Sequence, residues 1–273
     1  MKLIGLRLLL IEAKERYNNT MSKKINTSWG SEADWYSELL NQEGTYQKEV
    51  ILPNLFRLAA VKKGQRVLEL GCGTGFFCRA FAEAGAQVVG VDIGRELISK
   101  AESIANPSVS YRVASADSVP FIASASIDCI IIVLSLQNIE NAGQVIKESL
   151  RVLKPSGRVL IVLNHPAFRI PGSSSWGWDE KNIVQYRRLD RDLSEMKAPI
   201  QMHPGADPKK ITWSFHRPLQ FYFKLFSKNG FSVVRLEEWS SHTKTPHGPR
   251  ADAENRARAE FPLFMCLELR KTP

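Results

Sequence analysis

Residues 67–77 read VLELGCGTGFF, an apolar run holding one carboxylate, Glu69, and followed by glycines at 71, 73 and 75. Alternate glycines directly behind a strand-like run leave the chain few options. They suit a tight turn from strand into helix, where missing Cβ atoms let a ligand approach the backbone N–H groups at the helix start. The flanking segments fit such a unit and repeat it. RVLELG is a strand, GFFCRAFAEAG a helix closed by Gly85, QVVGVDI a strand, RELISKAESIA a helix and VSYRVAS a short strand. IDCIIIVLSL is the near-continuous apolar run of a strand buried on both faces of a parallel sheet. NAGQVIKESLRVLKPSG reads as a helix stopped by Pro155 and Gly157, and RVLIVLN as the next strand. Ahead of them all, TYQKEVILPNLFRLAAVKKG carries apolar residues at helical spacing and ends at Gly64. Short connections between alternating elements predict an α/β fold with a doubly wound, Rossmann-like, mostly parallel sheet and helices on both faces.

The alternation stops after Asn164. Residues 165–213 are rich in Pro, Gly, Ser, Trp and Arg, too long for an ordinary loop, and read as an insertion or lid after the fifth strand. HRPLQFYFKLFSKNG then reads as a helix with Pro218 in its first turn and Gly230 past its end. FSVVRLEEW and FPLFMCLELRK complete seven strands. The expected organisation is an N-terminal extension over 1–24 and one domain over 25–273.

The chain has 273 residues and 44% apolar side chains, enough for a large core. Its 37 basic and 28 acidic residues give a net charge of +9, but the excess lies at the periphery. Residues 1–24 carry +4, 165–217 carry +3 and 242–273 carry +2, while the rest balances. A dedicated nucleic-acid binder concentrates charge on one face with interleaved aromatics, and the sequence shows no such stripe. Cys72, Cys78, Cys129 and Cys266 lack paired metal-ligand spacing and read as free thiols in a reducing, cytoplasmic setting. The apolar run near the N-terminus is broken by Arg7 and has no small-residue cleavage site, so neither a signal peptide nor a membrane span is expected. Met21 is an alternative start.

The glycine turn suits a dinucleotide or another adenosine-containing cofactor. A dinucleotide fingerprint spaces its glycines G-x-G-x-x-G, whereas here Gly75 is followed by Phe76. An anion at Glu69, close to a diphosphate, would also repel it, but would favour a ligand that is cationic there. In these residues the stretch resembles motif I of the class I S-adenosylmethionine-dependent methyltransferases, E-x-G-x-G-x-G, matched by Glu69, Gly71, Gly73 and Gly75. The resemblance implies S-adenosyl-L-methionine as cofactor, with the loop around its amino-acid and ribose portion and Glu69 near its ammonium group. It further implies that Asp92, with Ile93 beside it, accepts the ribose hydroxyls. Asp117 with Ser118 would contact the adenine, and Ser135 would close the site after the fourth strand. Tyr36 and Tyr46 resemble tyrosines that close over the cofactor in related small-molecule enzymes. The stretch LSLQNI lacks the N/D-P-P-Y/F motif of the DNA and RNA amino-methylating branches.

The resemblance leaves the acceptor open between oxygen, nitrogen and carbon, and implies a small molecule recognised by the N-terminal segment and the insertion. His165 is the expected base or positioner, facing the methyl donor from the end of the fifth strand. Arg169 and Arg187 are candidates for holding an acidic acceptor. Trp176 and Tyr186 either wall the pocket or pin the insertion to the sheet. No metal, no obligatory nucleic acid and no membrane enter this reading. An RNA-directed methyltransferase and a catalytically silent cofactor-binding protein are the alternatives.

Overall fold

A computed structural model describes residues 28–104, 106–202 and 209–272. The expected N-terminal extension, 1–24, and Met21 lie outside the described residues. Five strands alternate with helices in the first part: β1 (Arg66–Leu70), β2 (Gln87–Asp92), β3 (Val109–Val113), β4 (Ile127–Val133) and β5 (Leu153–Asn164). The insertion folds into two hairpins, β6 (Ser174–Asp179) with β7 (Val184–Leu189), and β8 (Met196–Gln201) with β9 (Ile211–His216). β10 (Phe231–Trp239) and β11 (Phe264–Lys271) follow. The helices are α1 (Ala33–Asn41), α2 (Leu52–Ala59), α3 (Phe76–Glu83), α4 (Arg95–Ser103), α5 (Ala142–Val152), α6 (Leu219–Lys228) and α7 (Ala251–Glu260).

The main sheet has the order β10-β11-β5-β4-β1-β2-β3. The pairs among β1 to β5 are parallel, and β11 alone runs against the rest. This is the seven-stranded, mostly parallel architecture expected from the alternation. The strands divide their side chains with period two. Val67 and Ile131 join a core with Ile51, Leu55 and Phe81 from the helical side of α2 and α3. Leu68, Ile130 and Ile132 join the opposite core with Val145, Ile146 and Phe226 from α5 and α6. β4 is nearly all β-branched because both of its faces are covered, and full burial of each such side chain contributes about 1.5–3 kcal/mol.

Several boundaries differ from the sequence reading. The helix expected to run to Gly64 ends at Ala59, and Ala60 takes a left-handed φ of 43°. Upstream of Pro53 the chain forms a wider helical turn, with the Leu52 N–H bonded to the Gln47 carbonyl, since proline cannot donate an α-type bond there. α7 was not expected. Its only buried side chains named on the helix are Ala251, Ala253 and Ala257, too small to mark an apolar stripe.

Candidate active site

A cavity of about 620 Å³ opens at the carboxyl ends of the parallel strands. Ligand crevices lie at this edge of α/β sheets because the strand-to-helix turns expose backbone donors there. The turn after β1 supplies Gly71 and Gly73, β2 ends in Asp92 and Ile93, and the turn after β3 supplies Ser115, Ala116 and Asp117.

The three glycines, all at positive φ, serve three different contacts. A side chain on Gly71 would overlap Ser135, whose Oγ donates to the Leu70 carbonyl at 2.9 Å, so the turns after β1 and β4 interlock. Gly73 faces the cavity, with only the Tyr36 ring edge 3.4 Å from where a Cβ would stand. Gly75 starts α3 and lies against the Tyr111 ring, away from the cavity wall. Asp92 ties the turn to β2: its Oδ2 accepts from Gly73 N at 2.9 Å and its Oδ1 from Gly94 N at 2.8 Å. Burial raises its pKa, and those backbone N–H groups oppose the rise.

Glu69 stands behind this turn and is not among the lining residues. It is buried, its Oε2 accepts from the Cys78 thiol at 2.9 Å, and burial pushes its pKa up to about 8. Glu69 therefore stands one layer behind the cavity wall. The Tyr36 phenol, which lines the cavity, is pushed up to about 12 by burial and by the carboxylates of Glu69 and Asp92.

On the opposite side the wall comes from the segment after β4. Leu134 takes a left-handed φ of 52°, a strained conformation for a branched residue, costing about 1–2 kcal/mol. The short helical turn Leu136–Asn138 follows and brings Gln137 and Asn138 to the cavity, with Ile139, Glu140 and Asn141 beyond. The buried Asn138 Oδ1 has no hydrogen-bond partner. Asn164 at the end of β5 and Ile200 and Ser214 from the second hairpin complete this side. Trp29 and Tyr36 cover it from the N-terminal segment, and the Lys210–Glu32 ion pair, at 2.6 Å, joins that segment to the hairpin. The ionisable lining groups among the described residues are Tyr36, Asp92, Asp117 and Glu140, with no Lys, Arg or His.

The acceptor-side expectations are corrected. His165 does not line the cavity. It is buried, its Nε2 lies 2.7 Å from Glu238 Oε1, and its Nδ1 accepts the N–H groups of Ala167 and Phe168. Successive residues at a strand end face opposite ways, so Asn164 at the cavity turns His165 to the other side. With both ring nitrogens engaged, it is not placed to act as a base there. Arg169 donates to Asn164 Oδ1 at 2.7 Å and so supports the wall without lining it. Arg187 lies over the Trp176 ring and donates to the Phe168 carbonyl, while Trp176 sits edge-on to Phe261. Tyr186 packs over Gly177 and stays 45% exposed. These residues fasten the first hairpin to the body and none lines the cavity. Tyr46 bonds Ser241 Oγ at 3.0 Å and does not line the cavity, and the exposed Ser118 yields its expected place to Ser115.

Sequence reasoning missed Trp29, Gln137, Asn138, Asn164, Ile200 and Ser214. The first of these stands in SWGSEADWYSELL, part of the N-terminal segment expected to help recognise the acceptor, and Gln137 and Asn138 stand in the quoted LSLQNI. For Asn164, strand parity was the available signal.

Residues 68–161 match the family described as a methyltransferase domain. The chain is 34% identical over 204 residues to the ubiquinone/menaquinone biosynthesis C-methyltransferase UbiE of Rubrivivax gelatinosus, covering 74% of this chain and 76% of that one. It is 32% identical over 171 residues to the enzyme of the same name from Haemophilus ducreyi, covering 56% of this chain and 63% of the relative, just under two thirds of its length. A crystal structure of an S-adenosylmethionine-dependent methyltransferase from Mesorhizobium loti superposes with a TM-score of 0.65 at 25% identity, covering 80% of this chain and 96% of that one.

Proposed function

For a chain that belongs to the class I S-adenosylmethionine-dependent methyltransferases, we propose methyl transfer to a small, uncharged acceptor bound between the turn after β4 and the second hairpin. The observation that carries this reading is the two-sided cavity. One side is a glycine turn braced by Asp92, whose carboxylate gives it a negative pole that suits a cationic ligand. The other side joins Leu134, Ile139, Pro171 and Ile200 to neutral amides and the Ser214 hydroxyl, with the Glu140 carboxylate beyond the short helical turn.

The cofactor fits this first side, since Gly73 leaves open the space a Cβ would fill and the cavity volume lies in the range of ligand sites. Gly71 and Gly73 would hold it through backbone, Asp92 and Ile93 at the ribose, and Ser115 and Asp117 at the base. When bound, S-adenosylmethionine supplies an electrophilic methyl on a cationic sulfur.

The chain's own residues position and shield. Trp29, Leu134, Ile139, Pro171 and Ile200 exclude water, which strengthens each polar contact inside. Gln137, Asn138, Asn164 and Ser214 offer hydrogen bonds that orient an acceptor, and orientation supplies much of the rate in such a displacement. The absence of basic side chains from the described wall weighs against an anionic acceptor or an RNA backbone. Quinol-like rings, the acceptor type suggested by the names of the two UbiE relatives, suit an apolar wall with neutral hydrogen-bonding groups. No helix among the described residues is long and apolar enough to cross a membrane.

The test is incubation of the purified protein with methyl-labelled cofactor and cell extract, followed by separation of label into small molecules, protein and RNA. Label in the organic-soluble small-molecule fraction is expected. Label confined to RNA or protein, or failure of S-adenosylhomocysteine to bind in calorimetry, overturns the reading.

A further inference from the structure

Arg217 stands where the insertion rejoins the core, between the end of β9 and Pro218 at the start of α6. It is 5% exposed, although an unpaired buried charge is costly. It grips three backbone carbonyls and also meets the Tyr222 phenol, with the Glu195 and Glu140 carboxylates near enough to favour its charge. Nη1 donates to Leu136 O at 3.3 Å, and Nη2 donates to Ile139 O at 2.9 Å and Glu140 O at 2.8 Å. The guanidinium lies over the rings of Phe215 and Phe221, 5.2 and 5.3 Å from their centroids. A planar fork with several donors can satisfy three carbonyls at once while stacked between rings, and an ammonium cannot.

Those three carbonyls belong to the segment that directs Gln137, Asn138, Ile139 and Glu140 to the cavity. The segment leaves β4 through left-handed Leu134, so its path is not the one an unsupported chain prefers. Within it, Asn138 N bonds Ser135 O at 2.8 Å and Ile139 N bonds Leu136 O at 3.2 Å. Ser214, three residues before Arg217, also reaches the segment, its Oγ lying 3.5 Å from Gln137 O.

We propose that Arg217 is a positioning residue for the acceptor side of the cavity: by gripping the carbonyls of Leu136, Ile139 and Glu140 it holds the segment after β4 in its strained path and ties it to the returning strand of the insertion. The acceptor role rests on the function proposed above. The grip itself does not, and the two are tested separately.

The experiment is hydrogen–deuterium exchange on the whole protein, with and without S-adenosylhomocysteine. Arg217→Met keeps an unbranched apolar stem but removes every donor. Amides of residues 136–140 are expected to exchange about tenfold faster, with those of β1 and β4 unchanged. S-adenosylhomocysteine affinity should stay within about threefold, since Gly71, Gly73 and Asp92 do not touch Arg217. Arg217→Lys should fall between the two proteins. In Arg217→Ala, guanidinium chloride at about 10 mM should restore protection of 136–140, while sodium chloride at equal ionic strength should not. Unchanged exchange over 136–140, equal acceleration through the whole sheet, or protection restored by sodium chloride as well as by guanidinium overturns the assignment. Should Arg217→Met fail to fold, Arg217→Lys decides by the same two criteria. If the unaltered protein binds no S-adenosylhomocysteine, the proposed function fails while the exchange comparison still judges Arg217.

Discussion

The two hairpins of the insertion follow one another in the chain, yet they do different work. The first, β6–β7, carries Trp176, Trp178, Tyr186, Arg187 and Arg188, the side chains ordinarily associated with a binding surface. The second, β8–β9, contributes the plainer Ile200 and Ser214, and it is the one that reaches the cavity. The difference is one of partners. Arg187 lies over Trp176, Trp176 meets Phe261 after α7, and Arg250 lies over Trp178, so the rich hairpin spends its large side chains on holding itself to the body. The second hairpin is placed by its connections, through Lys210 to Glu32 and through Arg217 to the turn after β4. Residue type alone left Trp176 and Tyr186 open between wall and pin, while position relative to the sheet edge tells the two hairpins apart.

Gly73→Val sets the scale against which both hairpins are judged. The site has a φ of 54° and faces the cavity, so a branched side chain strains the turn and fills ligand space. S-adenosylhomocysteine affinity should fall by more than about a hundredfold, roughly 3 kcal/mol. Calorimetry showing an affinity near that of the unaltered protein would break the cofactor side of the comparison.

Glu69→Gln sharpens it from behind the wall, through stability. The Glu69 pKa of about 8 in the folded chain exceeds its ordinary value of 4.5, because burial disfavours the charge. Between those values the unfolded chain has released a proton that the folded chain keeps, so the stabilising contribution is full below about pH 4.5 and is lost as pH rises to about 8. Glutamine does not titrate. The stability of Glu69→Gln relative to the unaltered protein should grow with pH through that window, by about 4 kcal/mol, without cofactor present. Urea unfolding at pH 5 and pH 8.5 reads the difference, and a constant offset would show that Glu69 is ionised in the fold.

The smallest effects come from the hairpins themselves, tested as a pair. Ile200→Asp places a carboxylate on the apolar side of the cavity, and methyl transfer to extract small molecules should drop about tenfold with folding retained. Arg187→Ala should leave transfer and cofactor affinity unchanged and lower stability by about 0.5–1 kcal/mol through the lost contact with Trp176. The opposite pattern, a strong loss of transfer from Arg187→Ala and none from Ile200→Asp, would reverse the roles assigned to the two hairpins.

The contrast also marks where sequence stops being readable. The seven strands were legible because a strand covered on both faces must be almost wholly apolar, as β4 is. Gly71, Gly73, Asp92 and Asp117 were legible because a backbone-built ligand turn demands particular residue types at fixed spacing. Glu69 and Gly75 belong to the same motif, but their side-chain surroundings, Cys78 and Tyr111, come from elements that no spacing rule connects to them. In β6, Ser174, Trp176 and Trp178 do alternate, but among glycine and serine the pattern was indistinct. β8 contains Pro199, which argues against a strand, and it is tolerated because a two-stranded ribbon has only edges. Arg217 carried no signal, since its role depends on three backbone carbonyls about 80 residues upstream.

The place of β11 has a consequence for how this chain is made. It comes last of the seven sheet strands in chain order, yet it lies inside the sheet, bonded to β5 on one side and β10 on the other. Asn164 on β5 pairs with Phe264, so a ribosome adding about 5–20 residues per second leaves that side of β5 without its partner for roughly 5–20 seconds. During that interval the nascent chain displays the ladder groups of β5 and β10 to any other strand nearby. Vectorial synthesis thus completes the nucleotide-binding strands early and delays sealing the sheet to its final step, which makes the emerging polypeptide a natural client for chaperones that shield strand edges.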